Sequence, residues 1–103
     1  MSNVIELVLF KLKEGVSEEQ FLKASDEVNT SFLSLQKGYI NRKLAKNEDA
    51  WMDIVLWETM DDAMNAAKLV INFTDDNSTA KLFFESIEQS SCEIKHLNVV
   101  KSY

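Results

Sequence analysis

The stretch Trp51-Met52-Asp53-Ile54-Val55-Leu56-Trp57 decides the fold. Side chains alternate sides along a β-strand, so Trp51, Val55 and Trp57 point one way and Met52, Ile54 and Leu56 the other. Both sides are apolar. A strand in a sheet covered on one face alone alternates between apolar and polar residues. This strand is therefore expected to be covered twice.

Working outward, Asn47–Ala50 reads as a hairpin loop. Tyr39 to Lys46 reads as its other strand, and the charges of Arg42, Lys43 and Lys46 suit a sheet edge. That loop puts Arg42 and Asp53 on one face, where they can form a diagonal cross-strand ion pair. On the other flank, Thr59 is an N-cap with Asp61 and Asp62 in the first turn. Ala63, Met64, Ala67, Val70 and Ile71 give that helix its apolar side. Thr74-Asp75-Asp76-Asn77 interrupts it, and Ser78 restarts a helix to about Gln89, with Phe83, Phe84 and Ile87 inward.

Near the start, Asn3 to Leu12 is a strand with Ile5, Leu7 and Leu9 on one face and Val4, Val8, Phe10 and Leu12 on the other. Glu6 falls among the second set. Ser17 and Gln20 have capping-box spacing, and Val16 and Phe21 can form a hydrophobic staple. Phe21, Ser25, Val28, Phe32 and Leu35 make one helical stripe, and Gly38 is its expected C-terminal stop. Glu93 to Lys101 is the last strand. The order β-α-β-β-α-β predicts a ferredoxin-like α+β fold: a four-stranded antiparallel sheet, both helices on one face. Four strands of about seven residues leave an open apolar face of roughly 400 Å², an area that monomers seldom expose. A second copy packed sheet to sheet would cover it, so a homodimer is expected.

Composition narrows the function classes. At 103 residues, 46% hydrophobic and 27% charged, the chain is expected to form one globular domain over residues 1–103. A net charge of −6 disfavours nucleic acid and anionic membranes. No apolar run is long enough to span a bilayer, and Val4 to Phe10 lacks the features of a signal peptide. The single cysteine, Cys92, suits a reducing cytoplasm and has no partner spacing for a metal. No glycine-rich phosphate loop is present.

The stretch from Glu6 to Ser17, the run from Trp51 through Trp57 into Glu58-Thr59-Met60-Asp61-Asp62-Ala63, and the closing His96-Leu97-Asn98-Val99-Val100 together resemble the dimeric α+β barrel superfamily, near the antibiotic-biosynthesis-monooxygenase-like and stress-responsive barrels. That superfamily includes oxygenases, cyclases, isomerases and haem enzymes, so the resemblance implies a fold more than a reaction. In the haem-degrading branch the site combines an asparagine on the first strand, a tryptophan on the third and a histidine on the second helix. Trp57 matches the tryptophan. The first-strand position falls at or near Val8, and Asp61–Gln89 contains no histidine. Haem degradation is not expected, nor is any other cofactor.

Candidate site residues are few. His96, the lone histidine, can serve as a general base or sit on its strand satisfied by a partner. Glu6 on an apolar face needs a partner. It is a catalytic base, a structural carboxylate paired with Arg42 or with a lysine across a dimer, or a residue near the strand end in water. Trp51 and Trp57 can stack a flat ligand or serve as core. Two readings follow: a protein that binds or acts without cofactor on a small apolar or aromatic molecule in a cleft between helices and sheet, or a non-catalytic dimeric module. A cavity of several hundred cubic ångströms reached by Trp57 would favour the first, and a solid core the second.

Overall fold

The computed structural model describes residues 3–103. It contains β1 (Val4–Phe10), α1 (Glu18–Ser31), β2 (Tyr39–Asn47), β3 (Ala50–Trp57), α2 (Met60–Asp75), α3 (Ser78–Glu85) and β4 (Glu93–Asn98). The strands form one antiparallel sheet in the order β2-β3-β1-β4. This is the predicted ferredoxin-like arrangement. The β3 face carrying Trp51, Val55 and Trp57 is buried under the helices, while Met52, Ile54 and Leu56 lie on the open face with Ile5, Leu7 and Leu9. No helix among the described residues is long and apolar enough to cross a membrane.

Local chemistry sets the element boundaries. Ser17 Oγ accepts from the Gln20 N–H and Thr59 Oγ1 from the Asp62 N–H, so both predicted N-caps form. Asn47 pairs with Ala50 across a two-residue turn in which Glu48 has φ 57°.

Four expectations need correction. First, α1 ends at Ser31, well before Gly38, and Leu35 is exposed. The Phe32 ring packs 5.0 Å from that of Phe73, and its carbonyl accepts from Leu35 N and Gln36 Nε2 in a tighter turn. Second, α2 is rolled relative to its predicted face. Ala63 and Ala66 are buried, whereas Met64 and Ile71 are exposed. Gly38 explains the roll. It has φ +85°, and a Cβ there would lie within 2.6 Å of Asp62 Cβ, so the Asp62 side chain sits where any other residue's side chain would be. Third, α3 is capped by Asn77, whose Oδ1 accepts from Ala80 N, and ends at Glu85 rather than near Gln89. The chain leaves the helix to pair with the continuation of β1: Lys13 N donates to Ser86 O and Glu88 N to Lys11 O. For the same reason the β1 ladder stops at Phe10. Fourth, β4 ends at Asn98, with one further bond from Val99 N to Asn3 O.

The core falls into two clusters. One is aromatic: Phe10, Phe21, Trp51 and Phe83, with α1 and α3 residues Ala24, Val28 and Ala80. Its rings stack or meet edge to face at centroid distances of 4.9 to 6.4 Å. The other holds Val4, Phe32, Val55 and Trp57 under Ala63 and Ala66 of α2.

Candidate functional site

The helix-covered face of the sheet is a lattice of side chains fixed by strand register. Asp53, Val8 and Ile94 form one row across β3, β1 and β4. Val55, Glu6 and His96 form the next, and Trp57, Val4 and Asn98 the third. On β2, Arg42 stands opposite Val55, and Tyr39 opposite Trp57. Above this lattice, α2 presents alanines where α3 presents phenylalanines. The result is a cavity of about 280 Å³ between sheet and helices, walled by Val8, Val55 and Trp57 below, by Ala66, Ala67, Val70 and Phe84 above, and by Cys92 and Ile94 at the β4 side.

Glu6 lines this cavity. Its Oε2 lies 2.9 Å from His96 Nε2, so the two candidate residues are partners within one protomer. Glu6 does not pair with Arg42, which is held by Asp53 instead. Both side chains are partly exposed, 17% for Glu6 and 20% for His96. With the proton on Nε2, His96 donates to Glu6.

Arg42 and Asp53 form the predicted diagonal pair, and do so bidentately: Nε to Oδ1 and Nη2 to Oδ2, each 2.9 Å. The guanidinium also donates to Ser25 O at 3.1 Å and lies 5.4 Å above the Phe83 ring. Both side chains are nearly fully buried, 6% and 10% exposed. Asp53 is part of the cavity wall, and Arg42 stands behind it. The sequence indicated the pair but not that one partner faces a cavity.

The two tryptophans divide. Trp51 belongs to the aromatic cluster, stacked on Phe10 and edge-on to Phe21, and is not among the cavity's lining residues. Trp57 lines the cavity and is fully buried, with Tyr39 edge-on against it. Its Nε1–H has no hydrogen-bond partner among the described residues. Buried indole N–H groups are normally satisfied, and this one is an unpaired donor inside the cluster of Val4, Phe32 and Val55. Burial pushes the Cys92 thiol up from its ordinary value, which keeps it protonated and poorly nucleophilic. Among the described residues no cluster of His, Cys, Asp and Glu is arranged to hold a metal ion.

No family model matches the chain, and no curated protein matches it. Solved structures do. A mutant form of SnoaB, a cofactor-independent oxygenase from Streptomyces nogalater, superposes with a TM-score of 0.75 at 12% identity, covering 99% of this chain and 97% of that one. A Bordetella bronchiseptica protein assigned as an antibiotic biosynthesis monooxygenase gives 0.77 at 17% identity over 98% and 100%. A dimeric ferredoxin-like protein from an uncultured marine organism gives 0.67 at 15% identity over 100% and 92%. The chain thus has the ferredoxin-like fold of antibiotic-biosynthesis-monooxygenase-like proteins, the fold that its sequence resembles.

Proposed function

We propose that this protein is a homodimer, each protomer of which binds a small, largely apolar, aromatic-sized molecule in the cavity and acts on it without a cofactor by proton transfer through Glu6 and His96. The observation that carries the reading is the cavity itself. It is a partly open, mostly apolar space of a few hundred cubic ångströms with a small number of polar groups on its wall, the usual form of a small-molecule site. A core meant only to be solid would fill it, because voids in a packed interior are destabilising.

The polar groups suggest a division of labour. Trp57 offers an aromatic wall against which a flat ligand can pack. Glu6 offers an acceptor to a hydroxyl or an activated C–H, and His96 in its other tautomer, with Nε2 free, takes that proton from Glu6 at Nε2 and releases its Nδ1 proton to solvent. Glu6 and Trp57 are diagonal neighbours across β1 and β3, a spacing of about 7–8 Å between backbones, which a fused ring system can bridge. Deprotonation in an apolar enclosure makes an electron-rich aromatic more oxidisable. The reading is therefore compatible with the cofactor-independent oxygenation for which SnoaB is named.

Support for the dimer comes from the open sheet face. Ile5, Leu7, Leu9, Met52, Ile54 and Leu56 make an apolar centre rimmed by Lys43 on β2 and by Glu93 and Lys95 on β4. An apolar centre with a charged rim is the anatomy of a protein interface, and a like-folded neighbour is itself described as dimeric.

Native mass spectrometry of the purified protein tests both parts. The reading expects a dimer near twice 11.8 kDa, carrying a small adduct that disappears in Glu6→Gln or Trp57→Phe. A bare dimer that takes up no aromatic compound would favour the non-catalytic module, and a stable monomer would remove the dimer.

A further inference from the structure

Among the described residues the cavity wall contains two carboxylates, Glu6 and Asp53, and no lysine, arginine or histidine. The one guanidinium close to it, that of Arg42, is occupied: two of its nitrogens hold Asp53, a third holds Ser25 O, and its face lies over Phe83. We infer that Asp53 is a specificity-determining residue that hides Arg42 from the cavity, so that the site accepts uncharged hydroxyl- or carbonyl-bearing molecules and rejects carboxylates. The inference rests on the reading of the cavity as a ligand site and deepens it by naming the ligand's charge class.

Two ligands of one shape but different charge meet this wall differently. A neutral aromatic alcohol donates to Glu6, an acceptor already on the wall, and brings no charge. An aromatic carboxylate brings a second negative charge beside Glu6 and finds no free cation to neutralise it. One such like-charge contact in a partly screened interior lowers affinity by about a hundredfold. Arg42 supplies the converse. It stands across Val55 from Glu6 in the same row of the sheet, behind the Asp53 carboxylate. Remove that carboxylate and the wall acquires an unpaired buried guanidinium, which a ligand carboxylate can engage in the same bidentate geometry.

The test uses 2-naphthol and 2-naphthoate at neutral pH, where the first is uncharged and the second an anion. Cys92 lines the same cavity, so protection of its thiol from alkylation reports occupancy of this site rather than of the open sheet face. In the unmodified protein naphthol should slow alkylation and naphthoate should not, by about a hundredfold difference in half-protecting concentration. In Asp53→Asn, naphthoate should protect and should raise the melting temperature, restoring the lost partner of Arg42. Because that variant exposes a buried charge and can fail to fold, Glu6→Gln at the partly solvated mouth is the second arm. It should weaken the exclusion of naphthoate at least tenfold. Equal protection of the unmodified protein by both compounds would overturn the inference while leaving the cavity as a ligand site. So would two folded variants that still exclude naphthoate. Protection by neither compound would overturn the site reading and this inference together.

Discussion

Trp51 and Trp57 lie on the same face of the same strand, yet their surroundings differ in kind. Around Trp51 the helices bring Phe21 and Phe83, and the strand beside it brings Phe10, so rings fill the space. Around Trp57 helix α2 brings Ala63 and Ala66, and the space is not filled. Residue type on the strand is equal. What α1, α2 and α3 lower onto it decides whether a tryptophan is core or cavity wall. Rings close the sheet around Trp51, and the cavity opens beside Trp57.

The largest test of that contrast is removal of each indole. Trp51→Ala should cost about 3–5 kcal/mol, the scale for deleting a large buried aromatic, read as a lower urea midpoint. Ligand affinity in the surviving folded fraction should be unchanged. Trp57→Phe should move stability by only ~1 kcal/mol or less, since lost contact area is offset by removing a buried donor that has no partner. Its effect should fall on binding. If Trp57→Phe destabilises as much as Trp51→Ala and leaves binding intact, the two ends are alike and the contrast fails.

Next in size is Gly38→Ala, with Gly15→Ala as its control. Both glycines have positive φ, 85° and 84°. A Cβ at Gly15 meets nothing within 4 Å, whereas one at Gly38 strikes the Asp62 side chain. Gly15→Ala should therefore cost only the ~1–2 kcal/mol of a left-handed non-glycine residue. Gly38→Ala should cost ~3 kcal/mol or more, because α2 must also shift. That shift moves Ala63 and Ala66 over Trp57, so Gly38→Ala should impair ligand binding and Gly15→Ala should not. Both are measured by urea denaturation and by Cys92 protection.

A third change acts on the hollow end alone. Ala67 lines the cavity from an otherwise exposed position on α2. Ala67→Leu should narrow the cavity mouth and reduce affinity at least tenfold while altering stability by no more than ~0.5 kcal/mol. Unaltered binding would place the occupant elsewhere.

What the sequence made legible was local or two-dimensional. Capping by Ser17 and Thr59 depends on residues three apart, and the Arg42–Asp53 pair follows from hairpin loop length. The strand order follows from chirality and connection length. The hollow end was not legible, for a physical reason. Ala63 and Ala67 were readable as small residues on an apolar side, but a small side chain leaves open whatever its neighbours fail to fill, and α2's roll, which buries Ala66 instead of Ala67, fixes those neighbours. That roll depends on Asp62 meeting Gly38, a contact between elements with no spacing signal. The union of Glu6 and His96 likewise needs the β1–β4 register, set by two strands at opposite ends of the chain. Each residue was a visible candidate. Their pairing was not.

The smallest expected effect belongs to the solid end. Glu27 on α1 accepts from Asn77 Nδ2 and from Ser31 Oγ, each at 2.9 Å, and these hydrogen bonds, Asn77's first, hold its carboxyl below the ordinary value of 4.5. Asn77 is also the cap of α3, so this carboxylate ties α1 to the start of α3, the two helices that cover Trp51. A carboxyl lowered in the folded state contributes stability that is present above its unfolded value and is lost as pH falls through its folded one. Glu27→Gln keeps the shape of the side chain but removes that titration. In urea denaturation it should be slightly less stable than the unmodified protein at neutral pH, and the difference should shrink as pH falls below about 4.5. Curves that stay parallel into acid would mean that the α1–α3 joint does not depend on this charge, and that the solid end is held by its rings alone.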